Sequence, residues 1–152
     1  MPTRETNQRA PAPVLQEFQE RFECWNRGEL DRMQAMYAED AIYDASRVSP
    51  DMGPMRGHEP MRRYWDEAWE TWSGLRMDVR EVFDVGNHRY VVGVQLWGRG
   101  RVSGAAVDQR FAFLYTLRPE DDLITRADVL PNVEAALALA ERSALAPTSP
   151  RL

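Results

Sequence analysis

The stretch AEDAIYDAS, residues 38–46, places a phenol and a carboxylate side by side, Tyr43 and Asp44, on a strand-like run. Asp44 would serve as a general base if a β-bulge turned it inward; plain strand alternation instead makes it a solvent-facing or turn-capping aspartate. Tyr43, of opposite parity, is expected to face the interior. There its hydroxyl either donates to a substrate oxygen or belongs to a packed tyrosine with a satisfied hydroxyl. Asp108 and Asp128 lie within apolar runs. A carboxylate buried there would hold its proton to a higher pH and suit acid or base work, whereas exposure or pairing with Arg110 or Arg126 is the competing fate. His58, between Gly57 and Glu59 at a helix start, is either a proton shuttle at a cavity mouth or an exposed helix-entry residue. His88 falls in the turn VGNHR and is expected to be solvated.

Other chemistries find no support. Two separated histidines and one cysteine, Cys24, give no metal-ligand spacing. The glycines of GRGRVSG precede a strand and not a helix, so they mark a hairpin or bulge and not a phosphate loop, and no dinucleotide fingerprint is present. Neither metal nor cofactor is expected. A net charge of −5 disfavours binding to nucleic acid, and no apolar run is long enough to cross a bilayer. A single cysteine and a polar N-terminus make the cytoplasm the expected compartment.

The elements that must position these groups follow from periodicity. The polar, proline-bearing ends, residues 1–13 and 142–152, read as loose tails around one domain over 14–141. Val14, Leu15, Phe18, Phe22 and Trp25 fall at helical spacing, with Gly28 as the stop. A shorter helix carries Leu30, Met33 and Met36 to Tyr37, and AIYDAS follows as a strand. From Glu59 a third helix aligns Met61, Trp65, Ala68, Trp69 and Trp72. The loop from Arg47 to Met55, with Met52 and Met55, would form a lid. Four strands are expected after Gly74, and Asn132 caps a last short helix through Ala140. Helices followed by a run of strands give an α+β domain. Phe111, Phe113 and Tyr115 face one side of their strand and Ala112 and Leu114 the other. Both faces therefore need cover, and a homodimer packed through the sheet is expected.

The segments CWNRGELDRMQAMYAEDAIYD, PMRGHEPMRRYW and GRGRVSGAAVDQRFAFLYTL, in this order, resemble the SnoaL-like branch of the nuclear transport factor 2-like superfamily over roughly residues 14–141. The resemblance implies a curved antiparallel sheet wrapped around the N-terminal helices into a cone with an apolar pocket. Relatives include ketosteroid isomerases, limonene epoxide hydrolases, scytalone dehydratases, polyketide cyclases and non-catalytic binding proteins. The place of the isomerase base falls at Ala45, one residue beyond Asp44, and that of the oxyanion-holding or cyclase aspartate at Phe113. The isomerase tyrosine of the first helix falls at Arg21. The water-holding tyrosine of limonene epoxide hydrolase matches Tyr43, but its asparagine partner falls at Ala45 and its acids near Leu96 and Val129. Phe18, Phe22, Trp25, Trp65, Trp69, Leu96, Phe111, Phe113 and Tyr115 are the expected ligand wall, around a small hydrophobic molecule. Two functions stay open. One is a cofactor-independent cyclase, isomerase or epoxide hydrolase acting on a polyketide-, terpenoid- or steroid-like substrate through Tyr43, Asp44 or His58. The other is a non-catalytic protein that binds such a molecule.

Overall fold

The computed structural model describes residues 8–145, in which four helices pack on the two faces of one curled sheet. The chain enters through β1 (Gln8–Arg9), paired with a later strand at Asp84 and Phe83. Helix α1 (Ala12–Asn26) follows. The described fold thus includes residues 8–13 of the N-terminal segment that composition marks as a tail, and the last helix runs into the C-terminal one as far as Leu145; residues 1–7 and 146–152 lie outside the described residues. Pro11 and Pro13 are no obstacle, since the first helical turn has no N–H partner to lose. Phe18, Phe22 and Trp25, each at most 3% exposed, fill the stripe that this helix buries. It ends where Gly28 takes φ +73°, with Glu29 N–H bonded to Cys24 O and Gly28 N–H to Trp25 O, a Schellman closure that a side chain with a Cβ would strain.

The second helix, α2 (Leu30–Gln34), is one turn long, and Tyr37 opens β2 (Tyr37–Asp44) and does not close a helix. After β3 (Met55–Arg56) comes α3 (His58–Thr71), then the long strands β4 (Trp72–Gly86), β5 (Arg89–Gly100), β6 (Ala106–Leu117) and β7 (Ile124–Leu130). The β4–β5 hairpin turns on Asn87 and His88, both with positive φ, the conformation that matches the twist of the flanking strands. The strand order is β1-β4-β5-β6-β7-β2-β3. All pairs are antiparallel except β2 with β7, which run parallel and set Asp44 beside Asp128. The expectation of a wholly antiparallel sheet is corrected there. Register shifts in β4 at Ser73/Arg76, Val79/Glu81 and Asp84/Gly86 bend that strand, so the sheet wraps around α1–α3 and stays open.

The outer face of the sheet departs most from expectation. Val91, Ala112, Leu114 and Leu130 form a second buried cluster with Ala136 and Ala140 of α4 (Val133–Leu145). Two alanines four residues apart let the helix lie close on the sheet, and Asn132 caps it by accepting from Ala135 N–H at 2.7 Å. Ala112 and Leu114, whose burial prompted the homodimer, are thus covered by the chain's own C-terminal helix. A second copy is not needed to shield them.

Candidate ligand cavity

Inside the curl lies a cavity of about 250 Å³. Its helical wall is Phe22 and Trp25 of α1, Met33 of α2, and Tyr64, Trp65 and Ala68 of α3. The sheet contributes Tyr37 and Tyr43 from β2, Leu75 and Met77 from β4, and Phe111, Phe113 and Tyr115 from β6. Val129 of β7 completes that side, while Val48, Ser49, Trp72, Leu96 and Gln109, more accessible residues, rim the opening. The rings brace one another: Tyr37 meets Trp65 edge-on at 5.4 Å, Tyr43 tilts against Tyr64 at 5.8 Å, and Phe113 stacks on Tyr115 at 4.9 Å. Such contacts hold the wall in shape without a ligand. Asn26 adds a polar strut, its side-chain amide donating to Met77 O at 2.9 Å and accepting from Met77 N–H at 2.8 Å, which fixes the strand segment that carries Met77.

Burial governs the chemistry of the hydroxyls. It pushes Tyr37 far above the ordinary tyrosine range, opposed by the Tyr115 hydroxyl and the Arg21 charge. Tyr43 is raised well above that range by burial, reinforced by Tyr37 and Tyr64 and opposed by Trp65. Tyr115 is raised in the same way, and burial also raises Tyr64 against a hydrogen bond from Ser49. At neutral pH all four therefore keep their protons, and each phenol can donate as well as accept. Among the described residues no carboxylate and no histidine lines the cavity. No group of three His, Cys, Asp or Glu side chains there is placed to hold a metal ion.

Of the expected wall, Phe22, Trp25, Trp65, Leu96, Phe111, Phe113 and Tyr115 line the cavity, and so does Tyr43. Phe18 does not. It is packed behind the wall, parallel to the Tyr115 ring at 6.0 Å. Trp69 lies behind Trp25 at 5.8 Å, one helical turn beyond Trp65. Tyr37, Tyr64, Trp72 and Met77 were missed. Tyr37 has the strand parity of Tyr43, a signal hidden by assigning it to a helix end. The rim residues of the loop are Val48 and Ser49, whereas Met55 has entered β3.

Two of the expected catalytic groups lie elsewhere. Asp44 points to the opposite side of the sheet from Tyr43, as alternation requires, and is buried among cations. Its Oδ1 accepts from Ser46 Oγ at 2.6 Å and Ser46 N–H at 3.0 Å. Its Oδ2 lies 3.4 Å from Arg126 Nη2 and 3.6 Å from Arg47 Nη1. Burial alone would raise its pKa, but the Ser46 hydrogen bonds and the two arginines outweigh that and hold the carboxyl below its ordinary range. The same arginines reach Asp128, with Arg126 donating through Nε and Nη2 at 3.0 Å. Arg47 contributes a contact at 3.4 Å. This four-residue clamp ties the root of the 45–54 loop to β7 and leaves neither aspartate in the cavity. Asp108 is exposed and bonded to Gln95.

His58 is a strut. Its Nε2–H donates to Tyr37 O at 2.9 Å, and Nδ1 sits 3.3 Å from the Gln34 amide nitrogen, whose orientation Arg62 fixes by donating to Gln34 Oε1. Both ring nitrogens are therefore used in tying α3 to α2 and β2.

The fold is similar to that of a hypothetical protein with a ketosteroid isomerase-like fold from Catenulispora acidiphila DSM 44928, solved with trimethylamine. The two are 13% identical with a TM-score of 0.63, over 79% of this chain and 88% of that one. It is also similar to TerC, solved with polyporic acid, at 16% identity and a TM-score of 0.66 over 86% and 99% of the chains. A third similar structure is SalBIII, an epoxide hydrolase/cyclase-like enzyme of pyran ring formation in the polyether salinomycin. It is 17% identical with a TM-score of 0.65, over 78% and 90% of the chains. No curated protein matches the sequence. The family model of the SnoaL-like domain matches residues 18–127, most of the curled sheet and its three enclosed helices, and the chain belongs to that family.

Proposed function

We propose that this SnoaL-like domain binds a small, flat, largely apolar molecule in the cavity between α1–α3 and the inner face of the sheet. One observation carries the reading: the wall is aromatic and aliphatic, its hydroxyls are protonated donors, and the positions where relatives keep acids hold Ala45 and Phe113. Such a surface recognises a ligand by shape and a few hydrogen bonds, and it offers no side chain that would accept a proton at neutral pH. Trp25, Trp65 and Trp72 in the wall provide the readout. Titration of indole fluorescence with polyketide-, terpenoid- and steroid-like ring compounds should give saturable quenching by some of them, abolished in Ala68→Trp, which fills the cavity. Quenching that persists unchanged in Ala68→Trp would place the ligand elsewhere and sink the proposal.

A second reading has support in Tyr43. Its protonated hydroxyl stands in the wall, able to donate to an epoxide or carbonyl oxygen while the aromatic surface folds the substrate, which would make the protein a cyclase, isomerase or epoxide-opening enzyme without a base. Product formation from a polyether-type epoxide, lost in Tyr43→Phe with ligand affinity kept, would favour this reading over simple binding.

A further inference from the structure

We infer that Gln109 sets the specificity of the cavity: its side-chain amide, at the mouth, receives the neutral polar end of an elongated ring compound whose apolar end enters first. The inference rests on the cavity being a ligand site and specifies how the ligand lies in it. The inward-facing row of β6 runs from solvent to core along the cavity wall. Gln109 is exposed, Phe111 is half-buried, Phe113 and Tyr115 are 3% and 1% exposed, and all four line the cavity. The neighbouring strand repeats the gradient: Leu96, paired with Gln109, is half-buried, and Val94, paired with Phe111, is 2% exposed. The cavity therefore opens at Gln109 and closes toward Tyr115. At about 3.4 Å per residue, Gln109 and Phe113 stand about 14 Å apart along the strand, so a ligand that reaches both is long and narrow, two linked rings and not one.

The chemistry of the two ends differs. Inside, the Tyr37 and Tyr115 hydroxyls serve each other, Trp65 serves the Tyr43 hydroxyl, and Ser49 serves that of Tyr64. Among the described residues Gln109 carries the only amide side chain in the lining. Its neighbours on β6, Asp108 and Arg110, have the opposite parity and bond to Gln95 on the outer face. The Gln109 amide thus stands apart from that network, at the opening, where Nε2 can donate and Oε1 can accept. The rest of the rim is Val48, Trp72 and Leu96, which are apolar, and Ser49, which is engaged with Tyr64. Among the described residues no lining side chain is charged. A carboxylate or ammonium end would find no counter-charge there, whereas a hydroxyl or carbonyl matches the amide.

The test uses 4-hydroxybiphenyl, biphenyl and biphenyl-4-carboxylate, each titrated by indole fluorescence into the full chain and into Gln109→Met and Gln109→Lys. Methionine keeps the length of the side chain and removes the amide. Because position 109 is exposed, both variants should keep the thermal midpoint of the parent. Gln109→Met should weaken 4-hydroxybiphenyl roughly three- to tenfold, the net worth of one hydrogen bond, and leave biphenyl unchanged. Gln109→Lys should bind biphenyl-4-carboxylate several-fold more tightly than the parent at low salt, a gain that fades at high salt, because the new cation stands at the charged end of the probe. A Gln109→Met effect that is the same for both neutral probes, or no gain for the carboxylate in Gln109→Lys, overturns the role of Gln109 while leaving the cavity as a ligand site. Failure of both neutral probes to bind the parent, or binding that survives Ala68→Trp, overturns the cavity reading and the role of Gln109 with it.

Discussion

Asp44→Asn should weaken the fold and leave the cavity unaffected, because this carboxylate works as an ion clamp on the far side of the sheet. Asparagine keeps an acceptor for Ser46 N–H and Oγ, at 3.0 and 2.6 Å, and removes only the charge that faces Arg47 and Arg126. Those guanidinium side chains are 37% and 40% exposed and keep Asp128 as a partner, so water screens much of the attraction. A loss of about 1 kcal/mol is expected, roughly 2–4 °C in a chain of this size. Asp44→Ala also strands the Ser46 donors and should cost about 2–3 kcal/mol. The pH dependence follows from the sign of the shift. The folded pKa lies below the ordinary value, so the charge stabilises above the unfolded pKa, about 3.9, and that contribution is lost as pH falls through the folded pKa. Urea unfolding followed by tryptophan fluorescence should therefore separate wild type and Asp44→Asn at pH 7, with the gap narrowing steadily as pH falls below the unfolded pKa. A penalty that does not shrink as pH falls would refute the clamp. Ligand affinity or turnover lost in Asp44→Asn without a change in stability would show instead that Asp44 serves the cavity.

Asn26→Ala removes both partners of the Met77 peptide and should cost about 1–3 kcal/mol in urea unfolding, with Asn26→Asp restoring only the acceptor half. Ala136→Asp inserts a charge into the buried contact between α4 and the outer face of the sheet. It should lower stability by at least about 3 kcal/mol and promote self-association in size-exclusion chromatography as Val91 and Leu114 become exposed. His58→Ala should cost about 1–2 kcal/mol through the lost bonds to Tyr37 O and Gln34, with less than a twofold effect on any turnover; a general acid or base would show a loss of about 100-fold or more. Affinity for a neutral ring compound should be flat from pH 5 to 9, since burial carries the cavity hydroxyls above that window, and a titration within it by fluorescence would contradict the lining.

Local rules were the most legible part of the sequence. Alternation along AIYDAS assigned Tyr43 to the cavity and favoured an outward Asp44, and the stop at Gly28, the Asn132 cap and the turn after Gly86 all stand where side-chain chemistry put them. What could not be read was long-range. Nothing in residues 37–44 announces a parallel partner at 124–130, yet that pairing puts Asp44 beside Asp128 and lets two arginines serve both. The cover of the outer face was missed for a related reason. Ala136 and Ala140 look too small to replace a second subunit, and their smallness is what lets α4 approach Ala112. In the site, Tyr64 escaped notice because Trp65 and Trp69 defined the stripe of α3, although Tyr64 lines the cavity and Trp69 does not.

Asp44 and Asp128 are buried on the outer face of the sheet, and burial without cations would drive either carboxyl to the neutral form. The outer face supplies the cations: Arg47 from the loop and Arg126 from β7 keep Asp44 charged. The inner face supplies rings and hydroxyls, and a carboxylate at Ala45 or Phe113 would meet no arginine among the residues that line the cavity. One step along β2 therefore separates two kinds of chemistry. At position 45 an aspartate would hold its proton into the range useful for acid–base work; at position 44 it is ionised and structural.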